Sequence, residues 1–497
     1  MPKPLHVYKS LFKQTAIYGL ATVLPRVFSF LLVPLYLSPG VLDRAAYGEV
    51  TVIFSYIMFF NVILSYGMET AFFRFYNVEP GKSSVVSTSS ISLLWTSLLF
   101  LVFGLLFRNT LAQAADLQAE YLTYAIWILV LDALVVVPFA KLRAHQRPMV
   151  YSAVKIGNVL VNLLLNLFFL LVLPKLAKQS EFWNGVYDPD FKIGYIFVSN
   201  LVASLLTLAF FLPGYLRMQW EFNRDLWGRM ISYGMPILVA GIAFAVNEHF
   251  DKILLDKLLP ADVAKSQVGA YSACYKLGLF MVLYATAFRL GIEPFFFSHA
   301  SHENARQTYA NITKYFVIFG SLILLGVIVF ADIIKKFMLP NPEFWSAMKV
   351  VPLIILANFF LGIYNNLSVW YKLTDRTRMG AYISIVGAVL TLALNFALIP
   401  LFQESGGDGY MGSAIATIVA YGSMMIISWY LGNRYYPVPY DLRKIMAYLG
   451  LSLLFSTVYF YGFRENYFVG IPLLLAFVGF IYVSEKATLQ RIILKRQ

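Results

Sequence analysis

Charge and cysteine are what this chain has least of. Only 13% of its 497 residues are Asp, Glu, Lys or Arg, roughly half the ~25% of a typical soluble chain. A water-soluble fold of this length has too much surface to cover with so few charges, which excludes that class. The single cysteine, Cys274, lies in an apolar run with no partner in the chain, so a disulfide scaffold is excluded too. Long polar loops are also missing. The widest gaps between apolar stretches are 174–192 and 251–267, and neither approaches the ~50 residues of a folded catalytic or nucleotide-hydrolysing domain. Short alternating strands of about ten residues are missing as well, which argues against a β-barrel.

What is present is apolar: 59% hydrophobic residues, 17% aromatic, and a mean hydropathy of +0.69. About fourteen stretches of roughly 20 apolar residues are bounded by charges or by Pro, Gly and Asn. These features predict an all-α polytopic membrane protein. The first stretch, 15–37, follows Lys3, Lys9 and Lys13 and lacks a small-residue cleavage site, so it reads as an uncleaved first helix. With both ends on one side, that side collects about 23 Lys and Arg against about 12 opposite, which predicts cytoplasmic termini. The net charge of +13 is spread over many short loops. It therefore reads as this bias and not as a nucleic-acid-binding surface.

An internal repeat divides the chain. Tyr18-Gly19 resembles Tyr233-Gly234, Tyr47-Gly48 resembles Gly269-Ala270-Tyr271, Val159–Pro174 with Asn166 resembles Val389–Pro400 with Asn395, and Gly194 resembles Gly412. The matches keep their order, which is what a repeat requires. Residues 1–215 and 216–431 are expected to form two six-helix lobes, and 432–497 an extra helix pair with a cytoplasmic tail. Six spans per half is an even number, so the halves share one orientation and a pseudo-two-fold axis along the membrane normal.

Motifs for enzymatic chemistry do not hold up. Gly81-Lys82-Ser83 is no phosphate loop, because Tyr76 stands where its first glycine belongs and Pro80 spoils the turn. His299, His302 and Glu303 read as a polar loop, and Asn247-Glu248-His249 has no second ligand set, so no metal is expected.

Lys13–Leu20, Val33-Pro34-Leu35-Tyr36, Ala46-Tyr47-Gly48-Glu49 and above all Ser65–Phe75 resemble the polysaccharide-export and oligosaccharide flippases. Phe250–Leu254 and Val268–Ser272 extend the likeness into the second half. These belong to the multidrug/oligosaccharidyl-lipid/polysaccharide superfamily. The resemblance implies a non-enzymatic flippase carrying an undecaprenyl-pyrophosphate-linked oligosaccharide to the outer leaflet of the bacterial cytoplasmic membrane by alternating access. The implied partners are that lipid and the surrounding bilayer, with a monomer associating with polysaccharide-assembly proteins. No cofactor is expected beyond coupling to H⁺ or Na⁺. Fourteen spans are similar to the lipid II flippases, the first alternative, followed by a cation-coupled drug exporter. A membrane glycan polymerase or ligase fits least, since such enzymes carry a large outer loop.

Ionisable residues within spans are the candidate site, because a charge at the bilayer centre costs about 2.5–3.5 kcal/mol unless it is paired or faces water. Given the implied substrate, Arg26 of the first half and Lys276 of the second are expected to hold a pyrophosphate from two sides. Asp132 and Lys155 lie at similar depths and are expected to face each other. Glu248, Asp251 and Lys252 are placed near the outer end of the seventh span, as a gate, an ion or proton site, or a polar cap. Glu69 and Arg74, opposite Arg289 and Glu293, are expected to pair across the lobes at the cytoplasmic side, with the arginines contacting substrate.

Overall fold

The computed structural model describes residues 24–25, 27–298 and 304–494, with side chains omitted for 293–295, 297–298 and 487–494. Arg26 and the side chain of Glu293 therefore lie outside the described residues. Among the described residues every regular element is helical. The all-α polytopic class is borne out: thirteen helices are long and apolar enough to span a bilayer. They are α2 (Arg44–Val78), α3 (Lys82–Leu106), α4 (Ala119–Ala144), α5 (Pro148–Ala177), α6 (Lys192–Leu216), α7 (Arg224–Leu258), α8 (Ala261–Ile292), α9 (Ala305–Val329), α10 (Pro342–Leu373), α11 (Arg378–Glu404), α12 (Gly409–Tyr435), α13 (Leu442–Gly462) and α14 (Tyr467–Lys486). A shorter apolar helix, α1 (Val27–Tyr36), is the described portion of the first span. Below, inner and outer denote the faces that the Lys/Arg bias predicts to be cytoplasmic and external.

One expected loop is absent. Residues 251–267, read as the second-longest gap, are helical except at Leu259-Pro260, where α7 turns into α8. The charges that lowered local hydropathy are neutralised inside the protein. Lys252 pairs with Asp251 at 2.8 Å and Lys265 with Asp256 at 2.9 Å. Hydropathy counts such residues as if each met lipid alone, whereas paired charges stay inside a helix bundle.

Proline interrupts one span and not another. Near Pro138, α4 is interrupted at Val135, in keeping with a ring that cannot accept its place in the helical ladder. Pro236 sits inside an unbroken α7. A further break lies within α2, where Tyr66 and Gly67 both take positive φ (32° and 72°). Glycine bears that conformation without penalty, and Tyr66 is carried with it.

Polar side chains at equivalent places in the two halves bind their own helix and one neighbour. Asn166 donates to the Asn162 carbonyl (2.8 Å) and accepts from Tyr36 (3.0 Å). Its counterpart Asn395 donates to the Thr391 carbonyl (2.7 Å) and accepts from Ser413 (2.5 Å). The C-terminal pair is fastened at both ends. At the inner end Glu485 of α14 accepts from Lys314 of α9 (2.7 Å) and from Lys444 (2.8 Å) and Tyr448 (3.0 Å) of α13. At the outer end Asp332 accepts two bonds from Arg464 (2.8 and 2.9 Å) and one from Lys335. Burial pushes the Asp332 carboxyl upward, but the bonds from Arg464 and Lys335 outweigh it and hold the group below its ordinary value.

Candidate functional site

The two halves meet at two crossings, one outward and one inward of Lys276. At the outer crossing α2 packs on α8 glycine to glycine. A Cβ on Gly48 would sit 1.9 Å from the Lys265 carbonyl oxygen, and one on Gly269 would sit 1.9 Å from the Arg44 carbonyl oxygen. Lys265 precedes Gly269 by one helical turn, as Arg44 precedes Gly48. The contact is thus reciprocal, as expected where a pseudo-two-fold axis passes between equivalent positions. Small residues suit it, because helices in lipid associate through close packing and not through hydrophobic exclusion. The Lys265 ammonium reinforces the crossing: it lies 2.9 Å from the buried Asp256 and donates to the Asp116 carbonyl of the first half at 3.0 Å.

At the inner crossing, the bend of α2 meets the start of α7. A Cβ on Gly67 would lie 2.6 Å from the Gly234 carbonyl oxygen, and one on Gly234 2.9 Å from that of Tyr66. Around this contact Ser92 of α3 receives the Trp227 indole N–H (2.9 Å) and shares a 2.7 Å bond with the Tyr66 hydroxyl. The Arg74 guanidinium stacks on Tyr233 at 4.3 Å, and Arg229 pairs with Glu79 at 2.7 Å.

Between the crossings lies Lys276. A 3-10 turn, Lys276–Gly278, interrupts α8 there. Gly278 faces α10, since a Cβ on it would meet Ile354 at 2.7 Å and Asn358 at 3.2 Å. Two residues of a 3-10 turn make about 240° of rotation, so Lys276 does not share the side of Gly278. Phe280, further in, meets Phe30 of α1 edge-on at 5.8 Å. Lys276 lies about 10 Å inward of Gly269 at 1.5 Å per residue. It is half-buried, as is His249 of α7. Phe250, beside His249, meets Phe59 of α2 at 4.9 Å. Lys276 of α8 therefore lies between the two places where the halves touch.

The remaining expected residues fall differently. Asp251 and Lys252 are buried inside the second half: Lys252 lies 2.8 and 2.9 Å from the two Asp251 oxygens, Tyr271 donates to Asp251 at 2.8 Å, and the ammonium lies 4.2 Å from the Tyr275 ring centre. Glu248 accepts from Tyr421 of α12 at 2.7 Å. Asp132 accepts from Ser204 (2.8 Å), and the Lys155 ammonium sits over Phe139 (4.3 Å). Glu69 pairs with Arg143 of its own half at 2.5 Å, and Arg289 lines a small crevice with Asn365, Asn366 and Lys372. Of the expected inner pairing only Arg74 reaches across, and it does so to an aromatic ring. Glu79–Arg229, Lys265–Asp256 and His249 were not among the expected site residues. The signal that could have found the outer crossing was present: Gly48 and Gly269 are repeat equivalents.

A bundle of this architecture, with two halves meeting on either side of Lys276, is that of a membrane transporter. Sequence comparison gives the family. The profile described as "Polysaccharide biosynthesis protein" matches residues 11–288, more than half of the chain, so the chain belongs to that family. The MatE profile matches 236–397, and the expected superfamily membership is borne out. An uncharacterized membrane protein of Methanocaldococcus jannaschii is 22% identical over 209 residues, 42% of this chain; the chain spans only 45% of that relative's length. The fold is similar to that of the lipid II flippase MurJ in an inward closed conformation, with a TM-score of 0.72 at 14% identity over 94% of this chain and 99% of that one. It is also similar to an inward-facing multidrug resistance MATE family transporter, with a TM-score of 0.63 at 13% identity over 87% and 95%.

Proposed function

We propose that this protein is a flippase that moves an undecaprenyl-pyrophosphate-linked oligosaccharide from the inner to the outer leaflet of the bacterial cytoplasmic membrane by alternating access. The observation that carries this reading is the position of Lys276: a half-buried ammonium within a spanning helix, between two crossings of the halves. A charge inside the membrane is costly unless it meets water or an opposite charge. A pyrophosphate supplies that opposite charge, and the polyprenyl tail remains in lipid while the headgroup crosses. Arg26, from the first half, completes the anion site in this proposal, and Arg74 and Arg289 meet the headgroup at the inner side. Coupling to H⁺ or Na⁺ runs through Glu248 and Asp251, whose partners lie on α8 and α12.

The test is flipping of a lipid-linked oligosaccharide in proteoliposomes by wild type, Lys276→Ala and Arg26→Ala at equal folded yield. Transport by wild type and its loss in Lys276→Ala supports both the activity and the site. Equal transport by both alanine variants removes the site and keeps the activity. A wild type that carries lipid II but no pyrophosphate-linked oligosaccharide establishes the second reading, a lipid II flippase. That reading is favoured by the helix pair α13–α14 and the overall likeness to MurJ.

A further inference from the structure

We propose that the outer end of the first half carries a binding site for the headgroup of an anionic phospholipid. It lies in a cavity between the α1–α2 turn and the end of α5. The repeat fails at this place. Pro174 follows Asn166 by eight positions, whereas Pro400 follows Asn395 by five. The additional residues widen α5 into a π-helical turn over Phe168–Val172, in which the Leu173 N–H reaches back to the Phe168 carbonyl. Helix α11 contains its own proline, Pro400, and shows no such turn, so the added length and not the proline is the cause. Widened turns of this kind are rare and recur at functional sites.

The widened turn borders a cavity of about 250 Å³. Val41, Phe169 and Leu170 give it an apolar floor; Lys175, Lys192 and Tyr187 stand at its edge, and no carboxylate is among its lining residues. Its wall is rigid, because Phe169 and Tyr187 both stack nearly parallel to Tyr195 (10° and 9°). Lys192 is held at the rim by donating to the Gly40 carbonyl at 2.7 Å, which leaves further N–H groups on the ammonium.

Position selects the ligand. Leu171 and Val172, beside the cavity, are 39% and 44% exposed on a spanning helix and so face lipid. Phe182, on the short helix Glu181–Val186, is 70% exposed, as an interfacial aromatic is. The cavity thus sits where acyl chains give way to headgroups. Lys175 and Lys192 stand at this one cavity with no carboxylate among its lining residues, so the complementary ligand is an anion. A phospholipid phosphate between them, with its chains along Leu171 and Val172, satisfies both the charge and the apolar floor. This site lies apart from Lys276 and does not depend on which substrate is carried.

The experiment is native mass spectrometry of the purified full chain titrated with phosphatidylglycerol or phosphatidylcholine. Wild type is expected to retain one phosphatidylglycerol with a preference of about fivefold or more, as a lysine–phosphate contact near a membrane surface supplies. Lys175→Gln/Lys192→Gln should lose the preference, and so should Val41→Trp, which fills the cavity and leaves both charges. If the double variant melts early because the Gly40 link is gone, Lys175→Gln alone is the charge variant. Retention unchanged in both variants overturns the proposal. Loss in only one of them also overturns it, since diffuse surface charge or apolar packing alone would then be the cause. Displacement of the lipid by millimolar glycerol 3-phosphate would make this a site for soluble phosphates and overturn the lipid assignment.

Discussion

The outer and inner crossings join the same two halves by different physics. At the outer one, two backbones touch through reciprocal glycines, and the lysine beside them is paired with a carboxylate whose side chain is 0% exposed. At the inner one, the glycine contacts are longer, and the closing ion pair, Arg229–Glu79, leaves its arginine side chain 56% exposed. A buried pair is costly to break from one side, because the partner is left charged and desolvated. An exposed pair is worth about 0–1 kcal/mol and is screened by salt. The contrast shows which end is built to hold and which to yield. Parting the inner crossing separates a stacked guanidinium, side-chain hydrogen bonds, a weak ion pair and looser glycine contacts, whereas parting the outer one pulls apart backbones in closer contact.

The largest expected effect comes from leaving a buried charge alone. Lys265→Met strands Asp256, and the folded protein should lose about 3–5 kcal/mol, read as a fall in melting temperature in detergent. Lys265→Arg should recover much of it; equal melting of Met and wild type would mean that buried Asp256 does not depend on the lysine beside the outer crossing. Next comes Gly48→Val, whose Cβ would overlap a carbonyl oxygen. Overpacking of this kind costs typically about 1–3 kcal/mol, and the outer crossing should stay open. Thiol labelling from the outside, at a cysteine placed beside Gly269 in a Cys274→Ala background, should rise. Gly67→Ala should cost about 1–2 kcal/mol through its left-handed φ, and should shift the balance toward the inward-open state, seen as faster labelling from the inside. Smallest is Arg229→Ala, expected at or below about 1 kcal/mol. Its effect should shrink further in high salt, and a salt-insensitive loss would mean the inner pair is not acting as an exposed one.

The repeat shows what could be read in the residues and where reading stopped. The matches Gly48 with Gly269 and Asn166 with Asn395 were legible from local identity, and the structure gives the members of each match equivalent surroundings. The span boundaries were legible wherever apolar runs end in loops. They failed at 251–267, because hydropathy sums residues one at a time and Asp251, Lys252, Asp256 and Lys265 are neutral only as pairs. Lys276 was legible as a candidate because an ammonium within a span demands an explanation. Its neighbour His249 was set aside, because only the packing of α7 against α8 brings the two close.

Residues read in order were enough for the membrane class, the helix count, the family and the positions of intramembrane charge. Each of these follows from composition or from patterns local to one span. Partner choice waited on the packing of the helices: Glu69 with Arg143 and not with the second half, Asp132 with Ser204, Arg229 with Glu79, and Phe280 against Phe30 of α1. Those outcomes depend on the rotation and depth of one helix against another. A change of one residue in register turns a helical side chain by about 100°, and no single segment encodes the register of its neighbour.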